Sequence, residues 1–148
     1  MLEGWANPNV KKESIPRLPG SKAIFFKQDG FTVLDCYFKN GIQSMGDTII
    51  WHKKEPVWKM SYGGSYSPEV IPFLKEALLK AYRERSFVGG RGPSFFEGEG
   101  YVYVNQMLRN DFTSFLGEER VYSRQEAGKV VGHHAYWGRI LDQHGVSY

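Results

Sequence analysis

A glycine-rich loop with one arginine, Gly89-Gly90-Arg91-Gly92-Pro93, is the first stretch whose residue types suggest ligand chemistry. Glycines let a backbone approach a ligand closely, and the Arg91 guanidinium offers a bidentate fork to a carboxylate or phosphate. The lysine and the serine or threonine of a P-loop are missing, and this loop follows a predicted helix instead of preceding one. The alternative is a tight helix exit in which Arg91 pairs with an acid, and we expect Glu118 or Glu119 in that role.

Acidic and histidine residues could supply acid–base chemistry, but their spacing does not assemble a site. Several glutamates lie near glycines in predicted turns, where carboxylates are usually solvated; paired-carboxylate catalysis stays an open alternative. His133 and His134 are adjacent, so in a strand they point to opposite faces and cannot chelate one metal ion there. No cysteine or carboxylate lies at ligand spacing from them, so we predict no metal site and no cofactor.

Aromatic residues could line a pocket on one sheet face. An extended strand would place Trp58 and Tyr62 on the same side, and the matching side of the last strand would carry His134 and Tyr136. Such a face fits a small apolar ligand, but ordinary core packing explains it as well. The candidate ligand-binding residues are Trp58, Tyr62, Arg91, Glu118, His134 and Tyr136.

The single cysteine and a basic cluster both have plain structural explanations. Cys36 shares its predicted strand face with Leu34 and Phe38, so we expect a core residue and not a nucleophile. One cysteine also excludes an internal disulfide, which fits a reducing compartment. The basic cluster could bind nucleic acid or an acidic partner, but a solvated helix end that satisfies its dipole explains the same residues, which are Lys80, Arg83, Arg85 and Arg91.

Length and composition predict a single globular domain over residues 1–148, with residues 1–21 as an irregular N-terminal arm whose Trp5 docks on the body of the domain. The formal net charge of +3, from 19 basic and 16 acidic residues, is too small to indicate nucleic acid as a partner. We find neither a signal peptide nor a membrane-spanning stretch, and therefore predict a cytoplasmic protein with no membrane partner.

The elements that must position these residues are one helix and many short strands. Apolar residues recur at helical spacing between Ser67 and Gly89, with Ser67 as N-cap, a regular helix from about Ile71, and Gly89 or Gly90 ending the run. Its predicted buried face consists of Val70, Leu74, Ala77, Leu78, Ala81 and Tyr82.

Hairpin signals flank this helix on both sides. Turns are predicted at Asp29-Gly30, Lys53-Lys54-Glu55 and Gly98-Glu99-Gly100, with further breaks at Arg109-Asn110-Asp111 and Glu126-Ala127-Gly128. Short connections imply antiparallel neighbours. We therefore predict an α+β fold in which a curved antiparallel sheet of about six to eight strands packs on one main α-helix.

Several segments, in order through most of the chain, carry a family resemblance: Trp5-Ala6, Asp35 to Phe38, Pro56 to Gly64, Phe73 to Leu78, Arg91-Gly92-Pro93, Phe115 to Glu119 and Tyr136-Trp137-Gly138. On these residues the chain resembles an uncharacterised bacterial domain-of-unknown-function family. Members occur alone or C-terminal to helix-turn-helix domains of the phage-repressor (XRE) type. The resemblance implies a compact domain with no established activity.

Three functional hypotheses follow from the residues and the resemblance. The first is a non-enzymatic domain that binds a small ligand or acts as a regulatory accessory domain. The second is a small hydrolase or isomerase that uses a glutamate, His134 and Arg91. The third is a protein–protein or dimerisation module, with a protein partner or a second copy of the chain at an exposed sheet edge or aromatic patch.

Overall fold

The computed structural model describes residues 4–141, which form eight β-strands, one 3₁₀ turn and one α-helix. The first three residues of the predicted N-terminal arm lie outside this range. In chain order the elements are β1 (Ser21–Gln28), β2 (Phe31–Asn40), β3 (Gln43–His52), β4 (Glu55–Tyr66), a 3₁₀ turn (Pro68–Val70), α1 (Ile71–Glu84), β5 (Phe95–Glu97), β6 (Tyr101–Asp111), β7 (Ser114–Ser123) and β8 (Val130–Ile140).

Tight turns join most consecutive strands. Asp29 and Gly30 connect β1 to β2 with φ of 51° and 81°, the left-handed conformation that two-residue hairpin loops need. Lys53 and Lys54 connect β3 to β4 with φ of 48° and 77°. The predicted turns at these positions and at residues 98–100 and 126–128 are confirmed. The predicted break at 109–111 is displaced, because β6 continues through Asp111 and turns at Phe112-Thr113.

All eight strands join one antiparallel sheet in the order β1-β2-β3-β4-β8-β7-β6-β5. The chain builds β1 to β4 as a meander, crosses the sheet through α1, and returns from the far edge to set β8 beside β4. The fold is therefore mainly β, and the predicted α+β class is wrong. The helical period stood out in the sequence, but α1 has 14 residues and serves as the crossover, whereas strands supply most of the packed surface.

The helix begins and ends for local reasons. Pro72 cannot donate a backbone hydrogen bond, and the regular helix starts at Ile71 as predicted, after the 3₁₀ turn. Ser67 occupies the cap position of that turn, but its side chain makes no capping hydrogen bond. The predicted end at Gly89 or Gly90 is wrong: Arg85 adopts a left-handed conformation with φ of 51°, and its amide faces the carbonyls of the last turn.

Two apolar clusters lie on the inner face of the sheet, the face on which α1 packs. The first contains the buried face of α1 and inner residues of the nearby strands: Ala6, Tyr66, Val70, Phe73, Leu74, Ala77, Leu78, Tyr103 and Val121. The second is formed without helix residues, by Tyr37, Trp58, Met60, Tyr62, Phe115 and Tyr136. Trp5 packs against both clusters, so the N-terminal arm docks as predicted.

The outer face of the sheet is more exposed. Cys36, expected in the core, is half-buried, because the buried face of β2 consists of Val33, Asp35 and Tyr37. Phe38 and Trp137 are 43% and 55% exposed on this outer side. Within residues 4–141, no helix has the length and hydropathy needed to span a membrane.

Leu78 tests the contribution of the helix to the core, because it is 1% exposed within the first cluster. We expect Leu78→Ala to lower the free energy of unfolding by about 2–5 kcal/mol, through lost burial and the cavity left behind. The matched control is Leu108→Ala, since Leu108 is 84% exposed and its truncation should change stability by about 0.5 kcal/mol or less. Urea denaturation of both variants measures the difference; equal losses would contradict the assignment of the core.

Candidate functional site

The register of the sheet sorts the inner-face residues into rows that run across the strands, because directly opposed residues point to the same face. We call one of them the polar row: Lys39, Ser44, Gly64, His134, Glu119 and Asn105, from β2 to β6. We call another the apolar row: Phe26, Val33, Ile50, Trp58 and Ile140, from β1 to β8. The two rows are six positions apart along β2, from Val33 to Lys39, which is about 20 Å of strand.

A buried ion pair between Arg91 and Glu119 lies at the centre of the polar row. Glu119 is completely buried, and its Oε1 accepts hydrogen bonds from Nε of Arg91 at 3.1 Å and from Nη2. The hydroxyl of Tyr66 donates to the same oxygen at 2.5 Å, and that of Tyr103 donates to Oε2 at 2.5 Å. The pairing of Arg91 with Glu119, one of the two predicted acids, is confirmed.

The charges of this network are mutually stabilised. Burial by itself would raise the pKa of Glu119, but the Arg91 guanidinium and its hydrogen bonds outweigh burial, so the pKa lies below its ordinary value. Burial likewise opposes the charge on Arg91, yet Glu119 holds the pKa of the guanidinium well above its usual range. Burial and the adjacent carboxylate raise the pKa of Tyr66 and Tyr103. The pair is therefore ionised, and both phenols stay protonated as donors.

The glycines of the arginine loop serve the approach of this loop to the sheet. Gly89 has φ of 61°, and a Cβ there would lie 2.4 Å from the ring of Tyr136. The Gly92 amide donates to the Tyr103 hydroxyl at 3.1 Å. Nδ2 of Asn105 donates to the carbonyls of Val88 and Gly92, both at 3.0 Å. The sheet thus anchors the loop at several points and presents Arg91 over the polar row.

A cavity of about 320 Å³ lies between the inner face of β1–β4, the N-terminal arm, α1 and the arginine loop. The Arg91 guanidinium lines it, with its carbon 5.2 Å from the centre of the Tyr62 ring. Asp35 also lines the cavity; its Oδ1 accepts from the hydroxyls of Tyr62 at 2.6 Å and Thr48 at 3.1 Å.

Two buried polar atoms in the cavity wall have no hydrogen-bond partner. They are Nε1 of Trp58 and Nδ1 of His134, and both residues are 4% exposed. The other ring nitrogen of His134, Nε2, lies 3.0 Å from Oγ of Ser44, so the tautomer decides whether Nδ1 donates or accepts. A buried polar group without a partner costs about 1–3 kcal/mol. Among residues 4–141 these two are the unpartnered buried side-chain nitrogen and oxygen atoms.

Burial favours the neutral form of two titratable groups in the cavity lining, His134 and Asp35. Burial, assisted by the charge of Arg91, lowers the pKa of His134 to about 3. Burial raises the pKa of Asp35, against the opposing hydrogen bonds from Tyr62 and Thr48. The cavity therefore contains a neutral imidazole and a carboxyl group that binds a proton more readily than an exposed one.

The structure brings four of the six predicted site residues together around the cavity: Trp58, Tyr62, Arg91 and His134. Glu118 lies on the outer face, 2.6 Å from Arg120, and not in the cavity. Tyr136 is buried, its hydroxyl donates to Oδ1 of Asn105 at 2.6 Å, and it is not among the residues that line the cavity. His133 and His134 face opposite sides of the sheet, as predicted.

Two features were not predicted from the sequence. One is Asp35 as a cavity-lining residue, and the other is Glu119 as the carboxylate that accepts hydrogen bonds from Arg91, Tyr66 and Tyr103. A signal was present in both strands. Asp35 alternates with Val33 and Tyr37, and Glu119 alternates with Phe115 and Val121, so each acid occupies an apolar strand face. A buried acid at such a position needs a partner. In the described range, no group of three or more histidine, cysteine, aspartate or glutamate residues is arranged to hold a metal ion.

The buried ion pair gives a prediction for stability. We expect Glu119→Gln to lower the free energy of unfolding by about 3–5 kcal/mol, because the Arg91 cation would stay buried without its counter-ion. The double variant Arg91→Met with Glu119→Leu should recover much of this loss, since it removes both charges. Denaturant unfolding of Arg91→Met, Glu119→Leu and the double variant measures the coupling. Additive losses would contradict a coupled pair.

His134 gives a prediction for pH dependence. Its pKa in the folded protein, about 3, lies below the ordinary value, so the unfolded chain binds a proton first as pH falls. Stability should be lost from about pH 6.5 downward, by up to about 1.4 kcal/mol per pH unit. Urea unfolding of wild type and His134→Gln between pH 7.5 and 5 measures this as the difference in slope. Parallel profiles would show that His134 is not protected from protonation.

The family comparison covers most of the sheet and the site. A family model described as "Domain of unknown function (DUF5680)" matches residues 35–141. No curated protein and no solved structure matches the chain. The matched range includes Asp35, Arg91, Glu119 and His134, but not the N-terminal arm or β1. The chain belongs to the DUF5680 family.

Proposed function

We propose that this protein binds a small organic ligand in the cavity between the sheet, the N-terminal arm and α1. The observation that carries the proposal is the pair of unpartnered buried atoms, Nε1 of Trp58 and Nδ1 of His134, in one cavity wall. Native proteins rarely leave buried polar groups unpaired, so each of these two atoms calls for a partner that the described protein residues do not supply. The ligand would accept from the indole and complete the hydrogen bonding of the imidazole.

The size and lining of the cavity support this proposal. A volume of about 320 Å³ is within the range of small-molecule sites, which are mostly apolar with a few convergent polar groups. The apolar part of the cavity lining includes Trp58, Met60 and Ile50. The polar or charged groups that line the same cavity include Asp35, Arg91 and His134. Arg91 is already fixed by Glu119 and Tyr62, so its guanidinium is preorganised for a ligand.

The other functional hypotheses have less support. Arg91, His134 and Glu119 do lie close together, but Glu119 is not among the cavity-lining residues, and both of its oxygens already accept hydrogen bonds. A substrate in the cavity would therefore lack this carboxylate as a base. The dimerisation module stays a prediction, as do the cytoplasmic location, the bacterial origin and a regulatory role beside a helix-turn-helix domain.

Blocking the cavity tests the proposal. The probe is the neutral fluorophore N-phenylnaphthylamine. It is added to ligand-free protein, from which organic solvent extracts no small molecule that mass spectrometry detects. We expect saturable fluorescence enhancement in wild type and about tenfold weaker binding in Ile50→Phe, because Ile50 lines the cavity and the larger ring occupies it. Ile49→Phe is the matched control, since Ile49 is the adjacent residue on β3 and points to the outer face.

Two results would overturn the proposal. One is the absence of saturable probe binding to folded wild-type protein. The other is equal affinity in Ile50→Phe and Ile49→Phe, which would place the bound probe outside the cavity. Circular dichroism and urea unfolding of each variant establish that the folded state is retained before the affinities are compared.

A further inference from the structure

Four lysines from four different elements line the cavity. Lys12 comes from the N-terminal arm, Lys22 from β1, Lys39 from β2 and Lys75 from α1. Nζ of Lys12 and Nζ of Lys75 lie 5.4 Å and 5.2 Å from the centre of the Trp5 ring. These cations are close enough to repel one another, since burial and then the charges of Lys75 and Lys22 lower the pKa of Lys12.

The four lysines differ from their sequence neighbours in ion pairing. None of them forms a salt bridge with a carboxylate of the described chain, whereas nearby lysines do: Lys11 pairs with Glu13, and Lys80 pairs with Glu84. Asp35 is the one carboxylate among the cavity-lining residues that the structure describes. An excess of unpaired positive charge around a low-dielectric opening attracts anions and raises their local concentration.

The sheet register places Lys22 and Lys39 at one end of the cavity, and the charge interactions of Lys12 with Lys22 and Lys75 associate the other two lysines with that end. Lys39 belongs to the polar row, and Lys22 stands one row away, opposite Tyr37 and level with Tyr62. The other end is the apolar row, where Phe87 and Phe112 join Trp58 in the cavity lining. The rows lie about 20 Å apart, so the site is cationic at one end and aromatic at the other.

On these observations, and resting on the proposed function, we propose that the ligand is an elongated amphipathic organic anion. Its apolar body lies against the apolar row, and its carboxylate, sulfonate or phosphate group lies among Lys12, Lys22, Lys39 and Lys75. Asp35 sits between the two ends, where a carboxyl group with a raised pKa can donate a hydrogen bond to the ligand and need not repel it.

A matched pair of probes separates charge from apolar binding. Anilinonaphthalenesulfonate differs from the neutral N-phenylnaphthylamine by one sulfonate group. We expect the anionic probe to bind wild type more tightly than the neutral probe does. The double variant Lys12→Gln with Lys75→Gln should weaken binding of the anionic probe about three- to tenfold. Binding of the neutral probe should not change. Higher salt concentration should weaken the binding of the anionic probe but not that of the neutral probe.

The control is Lys11→Gln with Lys80→Gln, which removes two lysines from the same two elements outside the cavity lining. It should leave both affinities unchanged. Three results would contradict an anionic ligand while leaving the cavity as a binding site. The neutral probe could bind wild type as tightly as the anionic probe, or the substitutions at Lys12 and Lys75 could leave the affinity for the anionic probe unchanged. In the third result, these substitutions weaken the binding of both probes equally. The last would assign these lysines to holding Trp5 in place. Failure of both probes to bind wild type would overturn the proposed function itself.

Discussion

The buried ion pair between Arg91 and Glu119 is the interaction on which the rest of the site depends. A carboxylate with no solvent exposure survives at the centre of a sheet only if its charge is neutralised and its lone pairs are used. Arg91, Tyr66 and Tyr103 meet both requirements. Because these three residues come from a loop and two strands, the carboxylate also fixes how those elements lie on one another.

This constraint has consequences for the cavity. The arginine loop must run close to the sheet for its guanidinium to reach Glu119, and the glycines at 89 and 92 permit that approach. Asn105 holds both ends of the loop through two carbonyls. The loop then closes one side of the space over β1–β4, and the Trp5 segment with α1 closes the other. A rigid wall with an unpartnered imidazole is the result, and rigid walls lose little entropy on binding.

Local features could be predicted from the sequence because local physics decides them. The turn at Asp29-Gly30 depends on two residues that tolerate positive φ, and the buried face of α1 depends on helical spacing. The predicted α+β fold class is wrong because one periodic helix is more conspicuous in the sequence than the strands are. Eight strands with weaker individual signals nevertheless form the whole sheet, and one of the two core clusters contains no helix residue.

Most of the turns, the start of the helix, most strands and the pairing of Arg91 with one of two neighbouring glutamates could be predicted from the residues alone. The assembled sheet was needed to show that Glu119 faces inward and Glu118 outward, and that Trp58 and His134 line the same cavity. These choices depend on long-range strand pairing, for example between β4 and β8, whose partners lie 66 to 82 residues apart in the sequence. Which face of a strand is buried, and which polar atom lacks a partner, is settled only when the opposing layer is in place.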